Sequence, residues 1–327
     1  VTNSGTAGTI TNTSGTFTNS GTTGDWTNGG TLANSGNMGN GTNNTGATFT
    51  NSGSVGTVAN AGTFNNDSGG STGAFTNTGT LTNAGTVASL DNSGTVTNSG
   101  IVSGATTNAQ HGTITNSGTM GSVNNSGIFN NDSGGSTGAF TNTATGNLTN
   151  AGTIASLDNS GTATNSGTIT GATTNSGTLT NSGIGGDITN TGTVANSGTF
   201  GVVSNNGGTF TNSGTTGDWT NSATLTNSGT MGNGTNNGTF TQTDGTVGNI
   251  TNNTNGITNI SGGTTGLVSN SGTVNYSGGS IYSIANDGTY NTTGAGATTN
   301  IALNGYIQTA TGTTKMNIAP GGSQLFT

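Results

Sequence analysis

Along most of the chain an apolar residue is followed two positions later by Asn, and the pair keeps returning. An apolar residue, Thr, Asn and then Ser-Gly-Thr appear twice per repeat, with spacings that alternate between about nine and six residues. Leu81-Thr-Asn-Ala-Gly-Thr leads to Leu90-Asp-Asn-Ser-Gly-Thr and then to Val96-Thr-Asn-Ser-Gly. First-site apolar positions run from Val1 through Phe17, Leu32 and Phe49 to Tyr290 in eighteen intervals of about sixteen residues. Internal repetition of this kind takes precedence over any local assignment. In a strand, alternate side chains share a face, so the apolar residue and the Asn point one way and the intervening Thr the other. The pattern therefore predicts an inward face of apolar groups and amides.

Asn, more than the apolar residue, keeps the register. The first-site column reads Asn3, Asn19, Asn34, Asn51, Asn66, Asn83, Asn98, Asn116, Asn131, Asn150, Asn165, Asn181, Asn196, Asn212 and Asn227 before Gln242 replaces it. The second-site column runs unbroken from Asn12 through Asn28, Asn92, Asn125, Asn159, Asn190 and Asn221 to Asn286. Coils stacked at the strand spacing of about 4.8 Å bring equivalent amides into hydrogen-bonding range. The expected fold is all-β: a thin, parallel, right-handed β-solenoid (β-helix) of about nineteen repeats with two Asn ladders and two short strands per coil. One repeat or two per coil are both compatible with the pattern. Ser-Gly supplies the corner, where Gly permits unusual backbone angles, and insertions such as Ser68-Gly-Gly-Ser-Thr-Gly73 fall there. Residues 1–296 form the repeat region, and 297–327 read as atypical C-terminal coils or a cap that leads to a downstream region. Whole blocks are copied too, since Phe17 to Asn28 recurs as Phe210 to Asn221. Such growth suits a molecule in which each coil meets only its neighbours.

Composition excludes a wide core: hydrophobic residues make up 25% of the 327 positions and Gly contributes 65. Charged residues are 3%, with one Pro, which argues against a solvated disordered chain. The net charge of −8 comes from nine Asp against Lys315, so no basic surface for nucleic acid exists. No run of eighteen apolar residues suggests a membrane-spanning helix, and the absence of Cys rules out disulfides. The chain begins at Val1 without a charged and apolar leader, as expected of a mature or excised segment.

Candidate chemistry is sparse. The single His is His111, in a loop insertion, and there is no Glu, so an acid–base or nucleophilic site is not expected and no enzyme activity is predicted. Asp25, Asp187 and Asp218 precede a second-site apolar residue, and Asp91 and Asp158 follow one, so all five should face outward. They do not fall on successive coils and lack the glycine-rich spacing of calcium-binding solenoids, so solvated charge is favoured over calcium and no cofactor is expected. Trp26 and Trp219 occupy second-site apolar positions, which favours burial. As sugar platforms they would have Asp25 and Asp218 beside them. Thr flanks the first-site residue at ten coils, as in Thr16-Phe-Thr18, Thr113-Ile-Thr115 and Thr239-Phe-Thr241. Such rows resemble the ice-binding face of insect antifreeze proteins, although Ala33, Asn65 and Asn130 interrupt them.

The C-terminal segment carries a more specific signal in Tyr306, Gln308, Ala310, Gly312, Ile318, Gly322, Ser323 and Leu325. It resembles the distal end of Gram-negative autotransporter passengers of the self-associating and diffuse-adherence type, and the repeats are similar to those of haemagglutinin-like surface adhesins. The resemblance implies an extracellular location at the bacterial outer-membrane surface and a role in adhesion, aggregation or biofilm. The expected function is an adhesin or fibre segment that associates with itself or with host or surface glycans through repeated polar faces. Ice binding and a passive spacer are the alternatives.

Overall fold

The computed structural model describes residues 1–292 and 305–316. The chain falls into two compact units, Val1–Gly171 and Ala172–Thr327, and each is a parallel β-solenoid. Among the described residues there is no helix. In the first unit, strands such as Thr16–Asn19, Thr31–Asn34 and Thr48–Asn51 stack in parallel to form one sheet. Asn19 pairs with Asn34 and Asn34 with Asn51, so one repeat is one coil and the two-repeat alternative is dropped. The second unit repeats the arrangement with Thr178–Asn181, Thr193–Asn196 and Thr209–Asn212.

The opposite sheet takes two strand segments from each turn, where the sequence suggests one. A two-residue segment such as Thr22–Thr23 precedes the second-site strand Trp26–Asn28. In Ser71–Asn77 and Thr86–Asn92 the two segments fuse into one strand. The short segment adds a third inward column, which includes Thr23, Met38, Val55, Val87, Val102 and Met120, all buried. Two residues are too few to display alternation, so hydrophobic patterning does not announce this column. Buried Thr in these columns carries a cost: the hydroxyls of Thr106 and Thr173, at second-site positions, have no hydrogen-bond partner.

The corner glycines are needed for a different reason than the one expected. At Gly21, Gly36 and Gly53 φ is not positive. Each instead packs against the corner one turn earlier, and a Cβ on Gly36 would lie 2.0 Å from the Gly21 carbonyl oxygen. Close stacking of corners therefore excludes a side chain. Positive φ is confined to a few sites such as Gly69 and Gly134, in the copied Ser-Gly-Gly insertions.

The interior is as thin as the composition requires, and large side chains fit by borrowing space from the next coil. Trp26 is 2% exposed, its ring lies edge-on to Phe49 at 4.6 Å, and its Nε1 donates to the Gly39 carbonyl at 3.0 Å. The residue stacked on Trp26 is Gly41, where an added Cβ would fall 2.2 Å from Trp26 Cδ2 and 2.3 Å from its carbonyl oxygen. The second unit repeats the device with Trp219 beneath Gly234. Gly41→Ala should lower stability by about 1–3 kcal/mol through overpacking. Urea unfolding of the variant beside the parent checks this, and an unchanged midpoint would show that the ring moves aside freely.

Candidate functional site

Two features of the fold can meet a partner or hold the coils for one: the amide columns and the outer faces. In the first unit the first-site column runs Asn3, Asn19, Asn34, Asn51, Asn66, Asn83, Asn98, Asn116, Asn131, Asn150 and Asn165. Each Nδ2 donates to the next Oδ1 at 2.7–2.8 Å. The second column passes through Asn28, Asn92, Asn125 and Asn159 in the same way at 2.8–2.9 Å. In the second unit Asn181, Asn196, Asn212 and Asn227 form one column, and Asn175, Asn190, Asn205 and Asn221 belong to the other. These are the residues that the sequence assigns to the ladders.

Each amide also clamps its own corner, a role that the spacing alone does not reveal. Asn51 Nδ2 donates to the Gly53 carbonyl at 3.1 Å as well as to Asn66, and the Gly53 N–H returns to Asn51 Oδ1 at 3.3 Å. Asn therefore stands at the end of its strand because its short side chain reaches both the corner and the next coil. Gln242 accepts from Asn227 at 2.8 Å, but its longer arm turns back to the Asp244 carbonyl at 2.5 Å, and the column ends. Ile260 follows it in register, and a new amide row appears on the outer side, where Asn275 donates to Asn259 and Asn291 to Asn275.

The carboxylates are exposed, and three of them tie successive coils together through the backbone. Asp25, Asp187 and Asp218 accept the backbone N–H of the next coil, from Asn40 at 3.0 Å, Val202 at 2.8 Å and Asn233 at 2.9 Å. Asn40, Asn233 and Asn249 serve identically in the same column. The shared feature is a side-chain oxygen that caps a bend in the second sheet. Trp26 and Trp219 are covered on both faces, at 2% exposure each, so neither indole offers the sugar platform considered for it. Asp25 and Asp218 remain at the surface beside them. Among the described residues no three acidic or His side chains converge as a metal site.

All nine Asp lie on the second sheet or at corners. Asp91 and Asp158 are within second-sheet strands, and Asp25, Asp187 and Asp218 precede such strands. Asp67, Asp132, Asp244 and Asp287 occupy turns. The outer face of the first sheet thus carries no carboxylate in either unit. In the first unit Thr80, Thr95 and Thr113 stand in register beside Thr82, Thr97 and Thr115. In the second unit Thr209, Thr224 and Thr239 stand beside Thr211, Thr226 and Thr241. Each set is a flat block of six hydroxyls, spaced about 4.8 Å across strands and roughly 6.7 Å along them. Ile128, Asn130 and Asn147 interrupt the array in the first unit, and Ala195 and Ile257 in the second.

The described part of the C-terminal motif continues the solenoid. Tyr306–Gln308 pairs with Ile284–Asn286, which sets Gln308 beside Asn286 in the second-site column. Ile318, Gly322, Ser323 and Leu325 lie outside the described residues, as do 297–304 and the proposed boundary. No family model matches the chain, and no curated protein matches it. Among solved structures it is similar to a TibC-catalyzed hyper-glycosylated TibA fragment at 18% identity, over 96% of this chain and 98% of that one. The TM-score of that match is 0.29.

The hydroxyls of Thr309 and Thr311 donate to exposed Asp287 and lower its pKa. Tyr290, 2% exposed and with no partner for its hydroxyl, is raised chiefly by burial and further by Tyr276 and Tyr306. Burial also raises Tyr276, whose hydroxyl donates to the Gly279 carbonyl at 2.6 Å. All four Tyr belong to the second unit. Above the ordinary phenol value of 10.0 the unfolded chain loses protons that the folded unit retains, so stability falls as pH rises. Unfolding at pH about 8 and about 11 should show the second unit weakened and the first, which has no Tyr, far less affected. Equal loss in both units would contradict this.

Proposed function

We propose that the chain is a segment of an extracellular adhesin or fibre, at a bacterial outer surface, whose first-sheet face binds copies of itself or surface glycans weakly and many times over. The observation that carries this reading is the segregation of carboxylates, all nine of which lie away from the Thr-bearing first-sheet face of their own unit. Two such faces can approach without like-charge repulsion, and hydroxyl rows can exchange hydrogen bonds with another polar surface. Individual contacts are weak, and repetition along a solenoid supplies avidity. The repeats and the C-terminal Tyr306 and Gln308 resemble autotransporter passengers, which supports the surface location. The reading is non-enzymatic, in keeping with a chain that has one His, His111, and no Glu.

A charge on the face tests the proposal. Thr97→Asp with Thr115→Asp, on cells that display the chain, should reduce clumping or attachment by about tenfold or more while the melting temperature stays close to that of the parent. Unchanged clumping would remove the first-sheet face from the mechanism, and no clumping by the parent would leave a spacer. The in-register Thr blocks also favour a second reading as an ice-binding surface. Thermal hysteresis that disappears in the same variant would select it.

A further inference from the structure

We infer that Asn206 is a site of spontaneous deamidation through Gly207. Six Asn-Gly pairs occur among the described residues: 28–29, 40–41, 206–207, 233–234, 237–238 and 255–256. Asn-Gly is chemically prone to this reaction because Gly has no Cβ to obstruct ring closure. The Gly nitrogen attacks the Asn Cγ, the C–N bond of the side-chain amide breaks, and ammonia leaves with the transferred proton. Water then opens the succinimide at either carbonyl, which gives Asp or isoaspartate. No oxidant or other co-reactant is consumed.

The fold protects five of the six. Gly29 donates its N–H to the Asn12 carbonyl at 2.6 Å, Gly41 to Thr57 at 2.9 Å and Gly234 to Asn249 at 2.8 Å. Gly238 donates to Asn221 at 3.1 Å and Gly256 to Asn253 at 2.7 Å. Each of those nitrogens must break a hydrogen bond and turn before it can attack. Gly207 donates to no protein acceptor, and both Asn206 and Gly207 are exposed. Space is available too, since a Cβ at Gly207 would meet only Thr191, at 3.9 Å. The pair is an extra step in its corner: Asn205 Nδ2 reaches across it to the Gly208 carbonyl at 3.2 Å, three residues on. The Asn206 N–H itself stays in the ladder, on the Asn190 carbonyl at 2.8 Å, so the product should remain folded and carry one more negative charge at this corner.

The folded chain is incubated in warm, mildly alkaline buffer, digested with a protease of broad specificity, and mapped by mass spectrometry for Asp and isoaspartate. A denatured sample serves as the reference. Conversion at Asn206 should outpace each of the other five by about tenfold or more in the folded chain and by far less in the denatured one. Gly207→Ala, which the open space accommodates, should slow conversion at Asn206 without altering the melting curve. A rank order that is the same in folded and denatured chain, or faster conversion at Asn237 or Asn255 in the folded chain, would overturn the assignment.

Discussion

The hydrogen bond between stacked Asn side chains is the constraint on which the rest depends. A buried amide left without partners costs roughly 1–3 kcal/mol, so each Asn commits its neighbours above and below to the same position. Asn51, fully buried, accepts from Asn34 on one side and donates to Asn66 on the other, while its own corner supplies the Gly53 carbonyl and N–H. A slip of one residue would turn every amide outward and every Thr inward. Variation in coil length must then be absorbed where no amide is displaced. That is why the Ser-Gly-Gly insertions at 68–70 and 133–135 fall between strands, and why Asn66 still bonds Asn83 across the first and Asn131 bonds Asn150 across the second. The first-site ladder ends where Ile260 follows Gln242 in register, and the Gln242 amide is then held by the Asp244 carbonyl of its own corner.

Much of this was legible in the sequence because the signal was redundant. Two Asn columns repeat across the chain, and the alternation of Phe49 with Asn51 around an outward Thr50 fixes which side each occupies. What stayed hidden depends on contacts between coils. The inward column of Met38, Val55 and Val87 arises from segments too short to show a period. The corner Gly could be placed but not explained, because its need comes from the carbonyl of the preceding corner, a relation that no single repeat contains. Trp26 with Gly41 is likewise a pair across coils: the large residue and the absent side chain fifteen positions later form one packing unit.

The candidate surface was legible in part. The Thr rows could be read from the repeat, but their separation from the carboxylates could not. Whether Asp91 faces the same way as Thr97 depends on the assignment of Leu90–Asn92 and Val96–Asn98 to opposite sheets, which requires the fold. Asp25 and Asp218 read as solvated charge beside a Trp, yet their oxygens cap backbone N–H groups of the following coil, a task that Asn40 and Asn233 perform without charge. Charge at these bends is therefore optional for the fold, and no carboxylate lies on the Thr face, where Lys315 in the last described strand is the one charged residue. That division lets the scaffold stay constant while its faces differ.

The most direct test of the account is the change in unfolding free energy of Asn98→Leu, measured by urea titration. Leu is larger and apolar, so a fold held mainly by hydrophobic burial would gain stability or stay unchanged. A fold held by the amide column loses the Asn83–Asn98 bond, with Asn83 keeping its backbone acceptors, and leaves the Asn116 Oδ1 buried without a donor, and should lose about 1–3 kcal/mol. A loss of that size supports the account, and a variant as stable as the parent contradicts it.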